Sequence, residues 1–141
     1  MKTGFYTNPI YLEHDTGPHP ENPNRLRAIL ERLESEDLMG KFKVESGRPA
    51  SSAEIQMLHT EKLVSDVEAA AESGAQTLHT PDCVISSQTY NAALHAVGSV
   101  LDAALEVAER RLDNAFCAVR PPGHHAEFDS AMGFCFFNNI A

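Results

Sequence analysis

The chain has 141 residues, of which 43% are apolar and 22% charged, and its formal net charge is −9. That is the size and balance of one globular domain, and no apolar run approaches the length that spans a bilayer. Phosphate backbones need clustered Lys and Arg, which this sequence lacks; this argues against nucleic acid as a partner, and the acidic surface reads as solubility.

The three cysteines, Cys83, Cys117 and Cys135, are odd in number and have no C-x-x-C spacing. They argue against a disulfide framework or a zinc knuckle and suit a reducing compartment. The N-terminus lacks a basic-then-apolar signal pattern, so the sequence predicts a soluble, non-secreted, cytoplasmic protein with no membrane partner. Cys117 lies in an apolar run and reads as a buried small hydrophobe.

Taken in order, residues 3–7 form a short strand that Asn8-Pro9 ends, and a loop rich in His, Pro, Asp and Gly follows to Asn22. Pro23 suits the first helical position, and Leu26, Ile29, Leu30 and Leu33 give that helix one apolar face to about Glu36. Phe42 to Glu45 is a second short strand. Ser51-Ser-Ala-Glu54 is a capping box opening a short helix through Leu58. Thr60 caps the next helix, which ends near Ser73-Gly74.

Ser86 or Ser87 is placed to cap a long helix whose apolar positions, Ala93, Val97, Val100/Leu101, Ala104/Leu105 and Ala108, follow the 3.6 period. Gly98 inside that helix costs stability relative to Ala and marks close packing. Asn114 to Val119 is a nearly continuous apolar run, the pattern of a strand buried on both faces of a parallel sheet. The loop from Arg120 to Gly133 then lies at that strand's carboxyl end, where α/β folds place their ligands, and a new helix is predicted from about Phe134. The alternation implies a layered α/β fold.

Within that loop His124 and His125 are adjacent, framed by Pro121, Pro122 and Gly123. Imidazole accepts and returns protons near neutrality, so two together divide the labour between a general base and an electrostatic partner. An isolated His-His pair is more often two ordinary loop histidines; the frame is what favours chemistry. Gly133-Phe134 gives close backbone approach and an aromatic wall for a narrow apolar tube, or simply a turn next to core, with Phe136 and Phe137 as core.

Arg25, in the first turn of a helix, is placed against the macrodipole, and reads as reaching a buried carboxylate or carbonyl cluster or as a surface arginine. Asp82, in a Pro-Asp turn, presents a carboxylate to a ligand or shapes the turn. His14, His59, His79 and His95 have no motif around them and read as structural. There is no H-E-x-x-H or D-x-H, and a metal set improvised from His124, His125, Glu127, Asp129 and Cys135 is the weaker reading, though a divalent ion at the His124/His125 loop stays open.

Arg120-Pro-Pro-Gly-His-His-Ala-Glu127 and Ala131-Met-Gly-Phe-Cys-Phe-Phe-Asn-Asn-Ile-Ala141 resemble the zinc-dependent histone deacetylase superfamily, to which bacterial acetoin-utilisation proteins and acetylpolyamine amidohydrolases belong. Arg-Pro-Pro before the glycine and Met-Gly-Phe-Cys after it are most similar to the class II and bacterial branch. His19-Pro-x-x-Pro-x-Arg25, Leu58-His59 and Ser87-x-Thr-x-x-Ala92 fall in the family's order. The resemblance implies an arginase/deacetylase fold and zinc-dependent hydrolysis of the amide of an acetylated lysine or polyamine. It implies His125 as general base and His124 as its electrostatic support. It also implies Gly133 and Phe134 as the acyl tunnel, Arg25 at an internal channel, and Asp82 as a rim acid holding substrate.

The family's zinc ligands and its oxyanion-stabilising tyrosine or histidine fall beyond Ala141. The expectation is therefore that residues 1–141 are the N-terminal portion of a deacetylase-like domain, without metal and inactive alone, and that an uncovered sheet edge drives homo-oligomerisation. The rival expectations are a non-catalytic, self-associating or ligand-binding module, and a half-enzyme completed in trans by another chain.

Overall fold

In the computed structural model, which describes residues 1–141, the sheet is centred on the chain's first strand. β1 (Thr3–Tyr6) pairs in parallel with β2 (Phe42–Glu45) on one side and with β5 (Asn114–Cys117) on the other, Phe5 standing between Val44 and Phe116. Parallel neighbours require crossovers, and helices supply them. α1 (Ile10–Glu13) and α2 (Pro23–Ser35) lie between β1 and β2. α3 (Ser52–Ile55), α4 (Glu61–Ser73) and α5 (Thr89–Ala108) lie between β2 and β5.

The local signals for these helices hold. Asn22 accepts from Asn24 N–H with Pro23 at the first helical position, Ser51 and Glu54 form the capping box, and Thr60 accepts from Leu63 N–H. Gly74 closes α4 at φ +74°. Leu26 buries against Phe5, Tyr11 and Ala118, whereas Ile29 on the same helix is 40% exposed. α5 packs its small face inward, through Ala92, Ala93, Ala96 and Val97. Gly98 is required there: a Cβ would run into the Arg48 carbonyl oxygen and stand 2.8 Å from Ala50 N. Ala50 N–H in turn donates to Leu94 O at 2.9 Å, so the strand-exit segment lies directly on the helix.

Four expectations are corrected. Neither Ser86 nor Ser87 caps α5; Gln88 precedes it without a side-chain cap, and Thr89 Oγ1 instead accepts from Ser86 N–H at 2.8 Å. Residues 77–84 form an antiparallel hairpin, β3 (Thr77–Leu78) and β4 (Thr80–Val84), so Asp82 lies in a strand rather than a turn. Within residues 1–141 β5 pairs on one side only and is not covered on both faces, Phe116 being 51% exposed and Cys117 half-buried. No helix starts at Phe134, because Gly133 and Phe134 both take left-handed φ values, +57° and +69°. Phe136 and Phe137 are nevertheless core, and no helix is long and apolar enough to cross a membrane.

Candidate active site

The site begins where β5 ends. Arg120 is almost wholly buried and is held by four hydrogen bonds. Its Nε and Nη2 donate to Glu21 Oε1 and Oε2 at 2.7 and 2.9 Å, and its Nη1 donates to the carbonyls of Tyr11 and His14 at 2.6 and 3.0 Å. A bidentate pair fixes direction as well as distance, so the chain leaves β5 at a set angle. The Arg120–Pro121 peptide is cis.

His14 completes this buried cluster. Its Nδ1 meets Thr89 Oγ1 at 2.8 Å and its ring stands edge-on to Phe136. Burial first, and then the Arg120 guanidinium, push its pKa down to about 3. Glu21 Oε2 lies 3.7 Å from His14 Nε2 and alone would favour the imidazolium. Its charge is already matched by Arg120, so desolvation prevails and the ring is neutral.

Beyond Pro122 the loop turns over Gly123, where a Cβ would stand 2.5 Å from Asn139 N, and presents His124 and His125 to solvent. Their ring centroids are 4.2 Å apart, and neither imidazole is engaged by another side chain's hydrogen bond. Both are therefore open to a ligand's proton. The His125 ring lies against Gly133: a Cβ there would be 2.9 Å from its Cβ, Cγ and Cδ2.

Met132 and Cys135 exchange backbone hydrogen bonds, both 3.0 Å, across Gly133 and Phe134. With φ positive at both central residues this is the turn type that closes the tightest hairpins, and only its first position is a glycine. Phe134 in that conformation stores strain of order 1–3 kcal/mol. Its ring meets His19 edge-on at 4.6 Å, forming one wall beside the histidine pair.

Two further imidazoles hold this segment from behind. Ala131 N–H donates to His79 Nδ1 at 2.9 Å, and Asn138 N–H donates to His59 Nε2 at 2.8 Å. Cys83, adjacent to Asp82 in β4, is buried and points its thiol at the Cys135 carbonyl at 3.9 Å. Asp82 itself is exposed on β4 and makes no side-chain hydrogen bond, so it is not drawn into the cluster.

Arg25 lies elsewhere. Its guanidinium is 64% exposed and 3.8 Å from Glu21 Oε1, and it lines a cleft of about 180 Å³ between α2 and β5 with Glu21, Arg120, Phe116 and Pro122. The expected buried carboxylate is thus Glu21, which Arg25 reaches at ion-pair distance while Arg120 takes its two hydrogen bonds. Sequence reasoning missed both members of that pair. The available signal was a lone arginine closing an apolar run, Val119-Arg120-Pro121, which must find a counter-charge if the run is buried.

The sequence model of the histone deacetylase domain matches residues 19–141. The chain belongs to the histone deacetylase family. It is 34% identical to human histone deacetylase 7 and 36% identical to histone deacetylase 5 of Arabidopsis thaliana, in each case over 99% of its own length. It spans 18% and 23% of those relatives. The crystal structure of the HDA15 HD domain superposes with a TM-score of 0.93 at 34% identity, covering 99% of this chain and 41% of that one. The fold is accordingly the α/β deacetylase fold, in part: a parallel sheet between helices.

The histone deacetylase family is in general zinc-dependent. Within residues 1–141 no three His, Cys, Asp or Glu side chains stand together as a metal-binding group.

Proposed function

We propose that residues 1–141 are the N-terminal portion of a deacetylase domain and supply the proton-handling histidines and one wall of the acyl tunnel for hydrolysis of an N-acetyl amide. The observation that carries this reading is the exposed His124/His125 pair packed against the Gly133-Phe134 turn. In it, His125 takes the proton of the attacking water, His124 balances the charge that forms, and Phe134 with His19 lines the path of an acetylated lysine or polyamine stem. Asp82 on the rim strand is free to accept from the substrate backbone, and Arg25 opens on the cleft behind. Activation of the water by a metal is not assigned to any residue of this chain.

The test is complementation. The chain is mixed with the remaining segment of a family catalytic domain and zinc, and release of acetate from an acetyl-lysine peptide and an acetylpolyamine is followed. Restored turnover, cut by roughly 10²–10⁴-fold in His125→Ala, supports the reading. Association without turnover, or no association, supports the rival of a non-catalytic module.

Self-association belongs to the same proposal. β5 has a neighbour on one side only, and Phe116 projects half-exposed from that edge. Light scattering should give a dimer or higher species, and a monodisperse monomer would overturn it.

A further inference from the structure

The segment from Phe128 to Asn138 carries the Phe134 wall, yet it has no helix or strand of its own beyond the Met132–Cys135 bridge. A strained turn persists only where its surroundings over-determine it. The surroundings here are two imidazoles that the deacetylase reading does not use.

His59, between α3 and α4, is almost wholly buried. It accepts from Asn138 N–H through Nε2, so its proton sits on Nδ1, which faces Phe128 O at 3.4 Å. Thr60 N–H donates to the same carbonyl at 3.0 Å. His79, at the tip of the β3–β4 hairpin with φ +60°, does the reverse. It accepts from Ala131 N–H through Nδ1, and its protonated Nε2 faces Asp66 Oδ2 at 3.4 Å on α4. Asp66 stays ionised because Lys62, and next His79 itself, hold its carboxyl below the usual range. Ser130 Oγ is 3.4 Å from His79 Nδ1, but the Ala131 amide already occupies that lone pair, so the Asp66–His79–Ser130 alignment does not activate a nucleophile.

We propose that His59 and His79 are positioning residues for the acyl-tunnel wall, each fixing one end of the Phe134 turn by accepting a backbone N–H on one ring nitrogen. The meaning of Phe134 as a tunnel wall rests on the deacetylase reading; the clamp itself does not. Each end uses a different nitrogen, and this makes the idea separable from simple packing. The amide oxygen of asparagine falls near imidazole Nδ1, and that of glutamine near Nε2. Hence His79→Asn and His59→Gln retain the acceptor, whereas His79→Gln and His59→Asn misplace it, although each pair has similar polarity.

The experiment is amide hydrogen exchange on the 141-residue chain, resolved at Ala131 and Asn138, together with the ring-proton shifts of His19, which sense Phe134. His79→Gln should speed exchange at Ala131 by about tenfold, and His59→Asn should do so at Asn138, as expected for loss of one part-buried hydrogen bond. Both should shift the His19 signals. His79→Asn and His59→Gln should stay within about twofold of the parent at the same amides. Equal exchange in the matched and mismatched variants would overturn the proposal. No step of the test reads turnover, so failure of the deacetylase reading would leave this result intact, and the reverse holds too.

Discussion

Arg120 and Glu21 form a two-point ion pair, with both side chains almost wholly excluded from water and the two residues 99 positions apart in the chain. The pair joins the loop that carries His19 to the loop that carries His124 and His125, so the two sides of the candidate site share one anchor.

Breaking that anchor on one side leaves a buried charge without its partner. Arg120→Ala or Glu21→Ala alone should cost about 3–5 kcal/mol in chemical denaturation. The double variant Arg120→Met with Glu21→Leu should lose less than either, because no lone charge remains. It should not recover fully, since the Tyr11 and His14 carbonyls lose their donor at about 1–3 kcal/mol. A double variant as unstable as the singles would show that the pair acts by packing alone.

Gly98→Ala sets two effects against each other. Helix propensity favours Ala by about 1 kcal/mol. The new Cβ, however, meets the Arg48 carbonyl and the Ala50 nitrogen, which are backbone atoms and cannot swing aside. Overpacking of this kind typically costs ~1–3 kcal/mol, so the variant should be less stable, with a lower midpoint in thermal unfolding. A higher midpoint would mean the 48–50 segment moves freely off α5.

Gly133→Ala should act on the site more than on the fold. An L-residue at φ +57° costs roughly 1–2 kcal/mol, and the new methyl contacts the His125 ring. In histidine-resolved NMR spectra the His125 ring signals should move much further than those of His95, which lies on α5. Equal shifts at both would argue for global loosening.

Acid sensitivity follows from His14. Its pKa falls from 6.5 in the unfolded chain to about 3 in the fold, so between those values the unfolded state binds more protons. Its part in stability is therefore fully retained above pH 6.5 and is lost as pH falls toward 3, with a slope of up to about 1.4 kcal/mol per pH unit. Denaturation midpoints measured across that window should fall more steeply for the parent than for His14→Gln. Parallel profiles would assign the acid loss to other groups.

What could be read from the sequence was whatever a short stretch decides for itself. Ser51 with Glu54, Thr60, Pro23 and Gly74 act through hydrogen bonds and dihedrals within a few residues, and each sits where expected. The twenty-residue motif around His124 and His125 fixed the family by its residues, not by any geometry. The failures depended on neighbours distant in sequence. Whether β5 is central or an edge depends on how many strands lie beyond it, and its apolar run reads the same either way. The Phe134 to Phe137 run is apolar without a period, so nothing local revealed that Phe134 would take a positive φ. His59 and His79 carried no motif, because each is defined by a backbone amide more than fifty residues away.

The strand order β2-β1-β5 also sets a timetable. β1 is made before both strands that flank it, so one of its edges can be satisfied once Glu45 has been made, the other only at Cys117. The second pairing is led by a contact that joins Lys2 to Asp113 across 111 positions of sequence. At about 5–20 residues per second on a ribosome, the wait lasts seconds, against roughly a microsecond for a helix to form. Helix formation in α2 and α4 is fast on that scale, and Phe5 and Tyr6 remain open to mispairing on the β5 side while the chain grows. β1 thus waits for a partner more than a hundred positions downstream before its second edge is closed.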